Sequence, residues 1–192
     1  MTEQPLRIVV IIGSTREGRF GPTVASWFVD ETTGRADLDV DVLDLAEAGQ
    51  PERLGGFDQP PPEPVRAVAA RLAAADGFVV VTPEYNHSYP APLKTLIDWH
   101  DAWQAKPVAF VSYGGMSGGL RAVEHLRAVF AEVHAVTVRD TVSFHGAWAQ
   151  FGPDARPLDA DRCSAAAKGL LDQLAWWATA LRTARAERPY AA

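Results

Sequence analysis

The residues of this chain that invite chemistry fall in three short stretches. The first, Gly13-Ser14-Thr15-Arg16-Glu17-Gly18-Arg19-Phe20-Gly21, sets hydroxyls and two arginines among glycines. Backbone N–H groups at a helix start, with the positive end of the helix dipole behind them, bind anions, and arginine clamps a phosphate through two parallel hydrogen bonds. Here Ser14 and Thr15 add donors, and Arg16 or Arg19 could serve as the clamp, which suits a dianionic monophosphate. The stretch contains neither G-x-G-x-x-G nor G-x-x-x-x-G-K-[ST], so the dinucleotide and P-loop readings fail at the motif.

The second stretch, Pro83-Glu84-Tyr85-Asn86-His87-Ser88-Tyr89-Pro90, combines prolines, tyrosines and short polar side chains. Stiff backbone of this kind lies flat against a planar heterocycle and offers N–H and C=O groups to its edge, while a tyrosine covers apolar ring surface. The third, Ser112-Tyr113-Gly114-Gly115-Met116-Ser117-Gly118-Gly119, is rich in glycine, which lets a ligand approach the backbone closely. It also matches G-x-S-x-G at Gly115 to Gly119, with Asp140 and His145 following in the order of a hydrolase triad. That alternative makes Ser117 a nucleophile but leaves the other two stretches without a role.

The elements that must position these loops follow from hydrophobic periodicity. Ile8 to Ile12, Phe78 to Val81 and Val108 to Val111 are short, continuous apolar runs, the pattern of strands buried on both faces of a parallel sheet. An alternating segment through Val40, Val42, Leu43 and Leu45 and a run from Ala135 to Val138 supply two more strands. Helical spacing follows in Val24, Trp27 and Phe28 after Gly21-Pro22, in Val65, Val68, Ala69 and Leu72, over Leu93 to Trp99, over Leu120 to Ala131, and from about Asp159 to Arg182. Alternation of this kind predicts an α/β fold: a five-stranded, doubly wound parallel sheet with helices on both faces. Ligands bind such sheets beyond the carboxyl ends of the strands near the topological switch point, which is where the three stretches lie.

Size and composition set further bounds. The chain has 192 residues, and its Gly/Pro-rich interruptions at Gly49 to Pro62, Pro83 to Pro92 and Gly146 to Pro157 read as loops of a single domain spanning 1–192. A formal net charge of -6 and the lack of a Lys/Arg cluster argue against a nucleic-acid partner. No apolar run approaches the roughly 18 residues that span a bilayer, and Met1 to Pro5 carry no signal-peptide pattern, so no membrane partner is expected. One cysteine, Cys163, excludes an intrachain disulfide and fits a cytoplasmic protein. His87, His100, His125, His134 and His145 show no metal-ligand spacing, so no metal is expected. Leu170, Leu171, Leu174, Trp177 and Leu181 are expected to form a buried helix face, with Cys163 buried upstream. Glu84 and Lys94 read either as an ion pair across a subunit boundary or as solvated charges.

Taken together, these stretches resemble the NADPH-dependent FMN reductase family of flavodoxin-like proteins, which implies a sheet in the flavodoxin-like order 2-1-3-4-5. The likeness runs through Gly13-Ser14-Thr15-Arg16 and Arg19-Phe20-Gly21, then Pro83-Glu84-Tyr85-Asn86-His87-Ser88 with Pro92-Leu93-Lys94 and Ile97-Asp98-Trp99, and then Tyr113-Gly114-Gly115, over about residues 6 to 140. The resemblance implies that Ser14, Arg16, Arg19, Phe20 and Gly21 hold the phosphate of FMN, and that Pro83, Glu84, Tyr85 and Asn86, with Tyr113, Gly114 and Gly115, border its ring. It implies NADPH or NADH as electron donor, a small-molecule acceptor such as a quinone or a flavin, no obligatory catalytic side chain, and a homodimer or homotetramer. Thr95-Leu96 departs from the Asn-Ala usual after the helix lysine in that family. A flavodoxin-type electron carrier, binding FMN without oxidising NAD(P)H, is the alternative from another functional class.

Overall fold

In the computed structural model, which describes residues 4–56 and 58–191, two cores alternate along the first strand. Of the leader reading at Met1 to Pro5, only Gln4 and Pro5 are among the described residues. Ile8, Val10 and Ile12 of β1 (Leu6–Ile12) pack with Trp27 and Phe28 of α1 (Gly21–Asp30) and with Leu170, Leu171 and Leu174 of α5 (Ala160–Glu187). Val9 and Ile11 pack on the opposite face with Leu72 of α2 (Glu63–Ala74), Leu93 and Leu96 of α3 (Ala91–Trp99), and Leu126 and Phe130 of α4 (Leu120–Glu132). Successive strand side chains point to opposite faces, so a strand covered by helices on both sides must be apolar throughout. Every residue of β3 (Gly77–Pro83) and β4 (Pro107–Gly114) is accordingly buried.

The sheet is parallel, in the order β2-β1-β3-β4-β5, with β2 at Leu38–Asp44 and β5 at Val136–His145. From β2 the chain returns past β1 to form β3, so the loops after β1 and β3 diverge at the switch point and open a crevice between them.

Two elements run further than their periodicity announces. β5 continues from Val138 to His145 because its pairing with β4 slips between Val108 and Phe110, from Thr137 to Thr141, and then resumes. The polar Arg139 and Asp140 at this irregularity interrupt the hydrophobic pattern. α5 extends to Glu187, its last turns tethered by Arg182 and Arg185, each 3.4 Å from Asp76, and by Arg185 donating to the carbonyl of Ala105 at 2.5 Å. On this helix Trp177 is not a core residue: Ala167, Leu170, Leu171, Leu174 and Ala178 form the buried stripe, and Trp177, one position out of phase, is partly exposed beside Trp176. Cys163 is half-buried rather than enclosed.

Candidate functional site

The loop after β1 is anchored before it becomes free. The amide of Gly13 donates to the carbonyl of Val81 on β3 at 2.9 Å, and the buried Ser14 accepts a hydrogen bond from the hydroxyl of Tyr113 on β4 at 3.1 Å. Burial pushes the Tyr113 phenol well above its ordinary pKa, so it remains a donor. Gly21 backs this contact: a Cβ there would sit 2.4 Å from Ser14 Oγ and 2.9 Å from Tyr113 Oη, so no larger residue fits without moving them. Phe20 packs edge-on to Tyr113 and to Phe151.

The two arginines of this loop have different surroundings. Arg19 makes a two-pronged pair with Asp44 at the end of β2, 2.5 and 2.7 Å, and also donates to the carbonyl of Ser14 at 2.8 Å. Arg16 is exposed and makes no ion pair among the described residues. Along the same loop the amides of Thr15, Arg16, Glu17 and Gly18 donate to no protein acceptor among the described residues. α1 starts with no side-chain cap. Unsatisfied donors, an uncapped helix start and an unpaired guanidinium together make a site for an anion.

After β3 the chain closes a tight hairpin. Tyr85 and Ser88 exchange both backbone hydrogen bonds, 2.8 and 3.1 Å, around Asn86 and His87, whose φ values are +49° and +74°. A turn with two left-handed central residues is the I′ type, and its rigidity holds the Tyr85 backbone in place.

Glu84 ties this segment to the third loop. Its carboxylate accepts from Ser117 Oγ, from the Arg121 guanidinium at 3.0 Å and from the Arg121 amide at 3.3 Å, in the first turn of α4. Burial raises the Glu84 pKa, but the hydrogen bonds from Ser117 and Arg121 outweigh it and hold the group ionised below its ordinary value. The third loop is pinned elsewhere too: Gly118 O accepts from Ser112 and Ser143, Met116 O pairs with His145 Nδ1, and Gly115 O accepts from the Gly146 amide.

These contacts bear on the hydrolase alternative. Ser117 is not part of a triad, because its hydroxyl is bonded to Glu84, Asp140 is held by Arg139 and Gln173, and His145 is bonded to Met116. Within the chain, Glu84 pairs with Arg121, and Lys94 with Asp98 one helical turn away at 2.6 Å.

The three loops meet in one cleft of about 380 Å³ lined by Arg16, Arg19, Phe20, Pro83, Glu84, Tyr85, Tyr113, Gly114 and Gly115. Ser14, Gly21 and Asn86, the remaining residues singled out in the sequence, lie behind this lining: the first two support the wall and Asn86 shapes the turn. The lining also includes Glu17, Gly18 and Trp148, of which Trp148 lies on the 3-10 turn Ala147–Ala149 after β5. Sequence reasoning passed over Trp148, Asp44 and Arg121. For Asp44 a signal existed, a carboxylate ending the strand that pairs with β1. A groove of about 440 Å³ beside Trp176 lies near Leu6 at the opposite ends of the strands, away from all three loops.

A planar ligand carrying a phosphate fits this cleft. The volume lies in the range of small-molecule sites, roughly 300–1,000 Å³, and side chains added at Gly18 or Gly115 would meet nothing within 4 Å. The model of the NADPH-dependent FMN reductase family matches residues 6–149, the span that holds all three loops. The chain belongs to the NADPH-dependent FMN reductase family. That membership puts it among flavin-dependent oxidoreductases. An NAD(P)H-dependent FMN reductase of Schizosaccharomyces pombe is 40% identical over 123 residues, 59% of this chain and 60% of that protein, so the aligned part falls short of two thirds of that relative. A quinone reductase of Escherichia coli (strain K12) is 32% identical over 148 residues, 70% of this chain and 74% of the relative. Among solved structures, FerB, a flavoenzyme NAD(P)H:(acceptor) oxidoreductase from Paracoccus denitrificans, shares the fold with a TM-score of 0.72 at 22% identity, covering 91% of this chain and 97% of its own. Among the described residues no cluster of three or more His, Cys, Asp and Glu is placed to hold a metal ion, and no helix is long and apolar enough to cross a membrane.

Proposed function

We propose that the chain binds FMN in the three-loop cleft and passes electrons from NADPH or NADH to a small acceptor such as a quinone or a free flavin. The observation that carries this is the meeting of an unpaired arginine and free amides with two glycine- and tyrosine-bearing walls in one cleft. Arg16 and the amides of residues 15–18 hold the phosphate, while Arg19 braces the loop from Asp44, and Ser14, Phe20 and Gly21 complete its frame. Pro83 to Asn86 and Tyr113 to Gly115 flank the ring and present backbone groups to its edge. When bound, FMN supplies an isoalloxazine that accepts a hydride at N5 and releases electrons to the acceptor. The protein's part is to bind, orient and leave one ring face open, so no side-chain acid or base is assigned.

Quinone reduction is the activity named for the Escherichia coli relative, which supports a quinone as acceptor. The single cysteine supports a cytoplasmic enzyme. An open cleft edged by Tyr85 supports completion by a second copy, as a homodimer or homotetramer. The test is an absorption spectrum of purified protein supplied with FMN, before and after NADPH under anaerobic conditions. Bleaching of the flavin band and its return on adding a quinone are expected; protein that retains no FMN overturns the reading. FMN binding without NAD(P)H oxidation would favour an electron carrier, and sedimentation at micromolar concentration reports the oligomer.

A further inference from the structure

Trp148 stands out among the cleft residues because so much of a large apolar side chain is left in water. Its indole is 65% exposed, pairs with no other aromatic ring and donates no hydrogen bond to protein among the described residues. Trp27 and Trp103, in contrast, are fully buried. Trp176 is equally exposed, but it packs against Trp177 at the far end of the sheet.

The mounting of Trp148 is rigid although its ring is free. Gly146, with φ of +60°, donates to the carbonyl of Gly115 at 2.7 Å, tying this turn to the cleft's glycine wall. Ala147 is fully buried, and Phe151 packs on Phe20 and Phe144 at centroid distances of 5.2 and 4.9 Å. Leu158 donates to Gln150 at 2.8 Å, and the Gln150 side chain bonds the carbonyl of His145. Anchors on both sides therefore hold an exposed indole at the mouth of the cleft. With the backbone held in advance, only the two side-chain torsions of the indole are left to order when a ring stacks on it.

We propose that Trp148 is a specificity-determining residue whose indole face receives the flat, electron-poor ring of the electron acceptor at the open side of the cleft. This rests on the cleft being the flavin site. Electron-rich indole stacks favourably on an electron-poor ring and gives little to an acceptor without one, so Trp148 sorts acceptors by planarity.

The experiment compares the FMN-loaded wild type with Trp148→Ala, Trp148→Leu and Trp148→Phe, using 1,4-naphthoquinone and ferricyanide as acceptors. Trp148→Ala is expected to raise KM for the quinone roughly twofold to tenfold more than it raises KM for ferricyanide or weakens FMN binding, and to be rescued by Phe but not by Leu. Calorimetric titration with quinoxaline, a flat, electron-poor ring that a flavin does not reduce, is expected to weaken by the same factor in the Ala variant. A quinone KM raised no more than that for ferricyanide, rescue by Leu as complete as by Phe, or a loss of FMN affinity as large as the rise in quinone KM each overturns the proposal. The quinoxaline titration is repeated on flavin-free protein. Failure of the wild type to hold FMN thus counts against the site assignment, while the quinoxaline comparison still decides the role of the indole.

Discussion

Arg19 and Asp44 face each other beyond the ends of β1 and β2, the two terminal guanidinium nitrogens of one on the two carboxylate oxygens of the other, at 2.5 and 2.7 Å. The pair leaves Arg16, three residues earlier, as the arginine of this loop with no partner among the described residues. Two residues of one type in one loop thus have different surroundings: Arg19 is held by Asp44, and Arg16 is left exposed, the arginine proposed above to meet the phosphate.

Arg16→Ala is expected to weaken FMN binding by about 1–3 kcal/mol, the scale of a lost charge-assisted hydrogen bond, with thermal stability unchanged. Asp44→Asn is expected to act the other way round, lowering stability by about 1 kcal/mol because both partners keep some contact with water, and affecting FMN binding less than Arg16→Ala. Flavin titration and thermal melting of the two variants check this; equal losses of affinity would show that both arginines touch the phosphate.

Glu84 caps α4 through space, since its carboxylate accepts from the Arg121 amide and guanidinium while it holds Ser117. Glu84→Ala is expected to cost about 1–2 kcal/mol of stability, the scale of a lost helix cap, and Glu84→Gln less. Because the folded pKa is depressed, this contribution is complete above the ordinary carboxyl value and is lost as the pH falls through the folded one. Urea unfolding of the three proteins at neutral and acid pH tests it, and Glu84→Ala as stable as wild type at neutral pH would remove the cap.

Gly21→Ala is expected to damage the site without touching a ligand. Its Cβ would come within 2.4 Å of Ser14 Oγ, so either the Ser14–Tyr113 hydrogen bond breaks or α1 shifts. Overpacking of this kind costs about 1–3 kcal/mol. Lower thermal stability with weaker FMN binding is the expected pairing, and a variant normal in both would show that the wall yields freely.

Lys106 is buried with its ammonium on the carbonyls of Leu72 and Ala73, 2.8 and 3.0 Å, at the end of α2. Burial pulls its pKa down to about 8, with nearby Arg185 adding to the effect and Asp76 opposing it. Between that value and the ordinary lysine value the unfolded chain binds a proton that the folded one has released, so this residue's contribution to stability rises with pH. Burial raises the Tyr113 and Cys163 pKa values, which works in the opposite sense at alkaline pH. The difference in melting temperature between wild type and Lys106→Met should therefore shift toward wild type as the pH rises from 7 to 9.5, by an amount that isolates the lysine. A difference independent of pH would sink this prediction.

Strand identities, helix order and the three loops were legible in the chain because each is encoded locally: β-branched runs for strands buried on both faces, 3.6-residue spacing for helices, and glycine, proline and polar clusters at strand ends. Legibility failed where a partner is remote. The β5 extension depends on a pairing slip against β4, and the exposure of Trp177 depends on which stripe of α5 meets the sheet. What the sequence determined by itself is that a turn rich in glycine, hydroxyls and arginine and two stiff or glycine-rich turns leave the strands at one edge of the sheet. Only the tertiary structure decided that Arg19 is taken by Asp44, that Glu84 caps a helix 36 residues further along the chain, and that Trp148 stands at the mouth of the cleft. The reason is physical: periodicity and turn preference act over a few residues, whereas ion pairs, caps in trans and exposed rims are set by which segments the sheet order brings side by side.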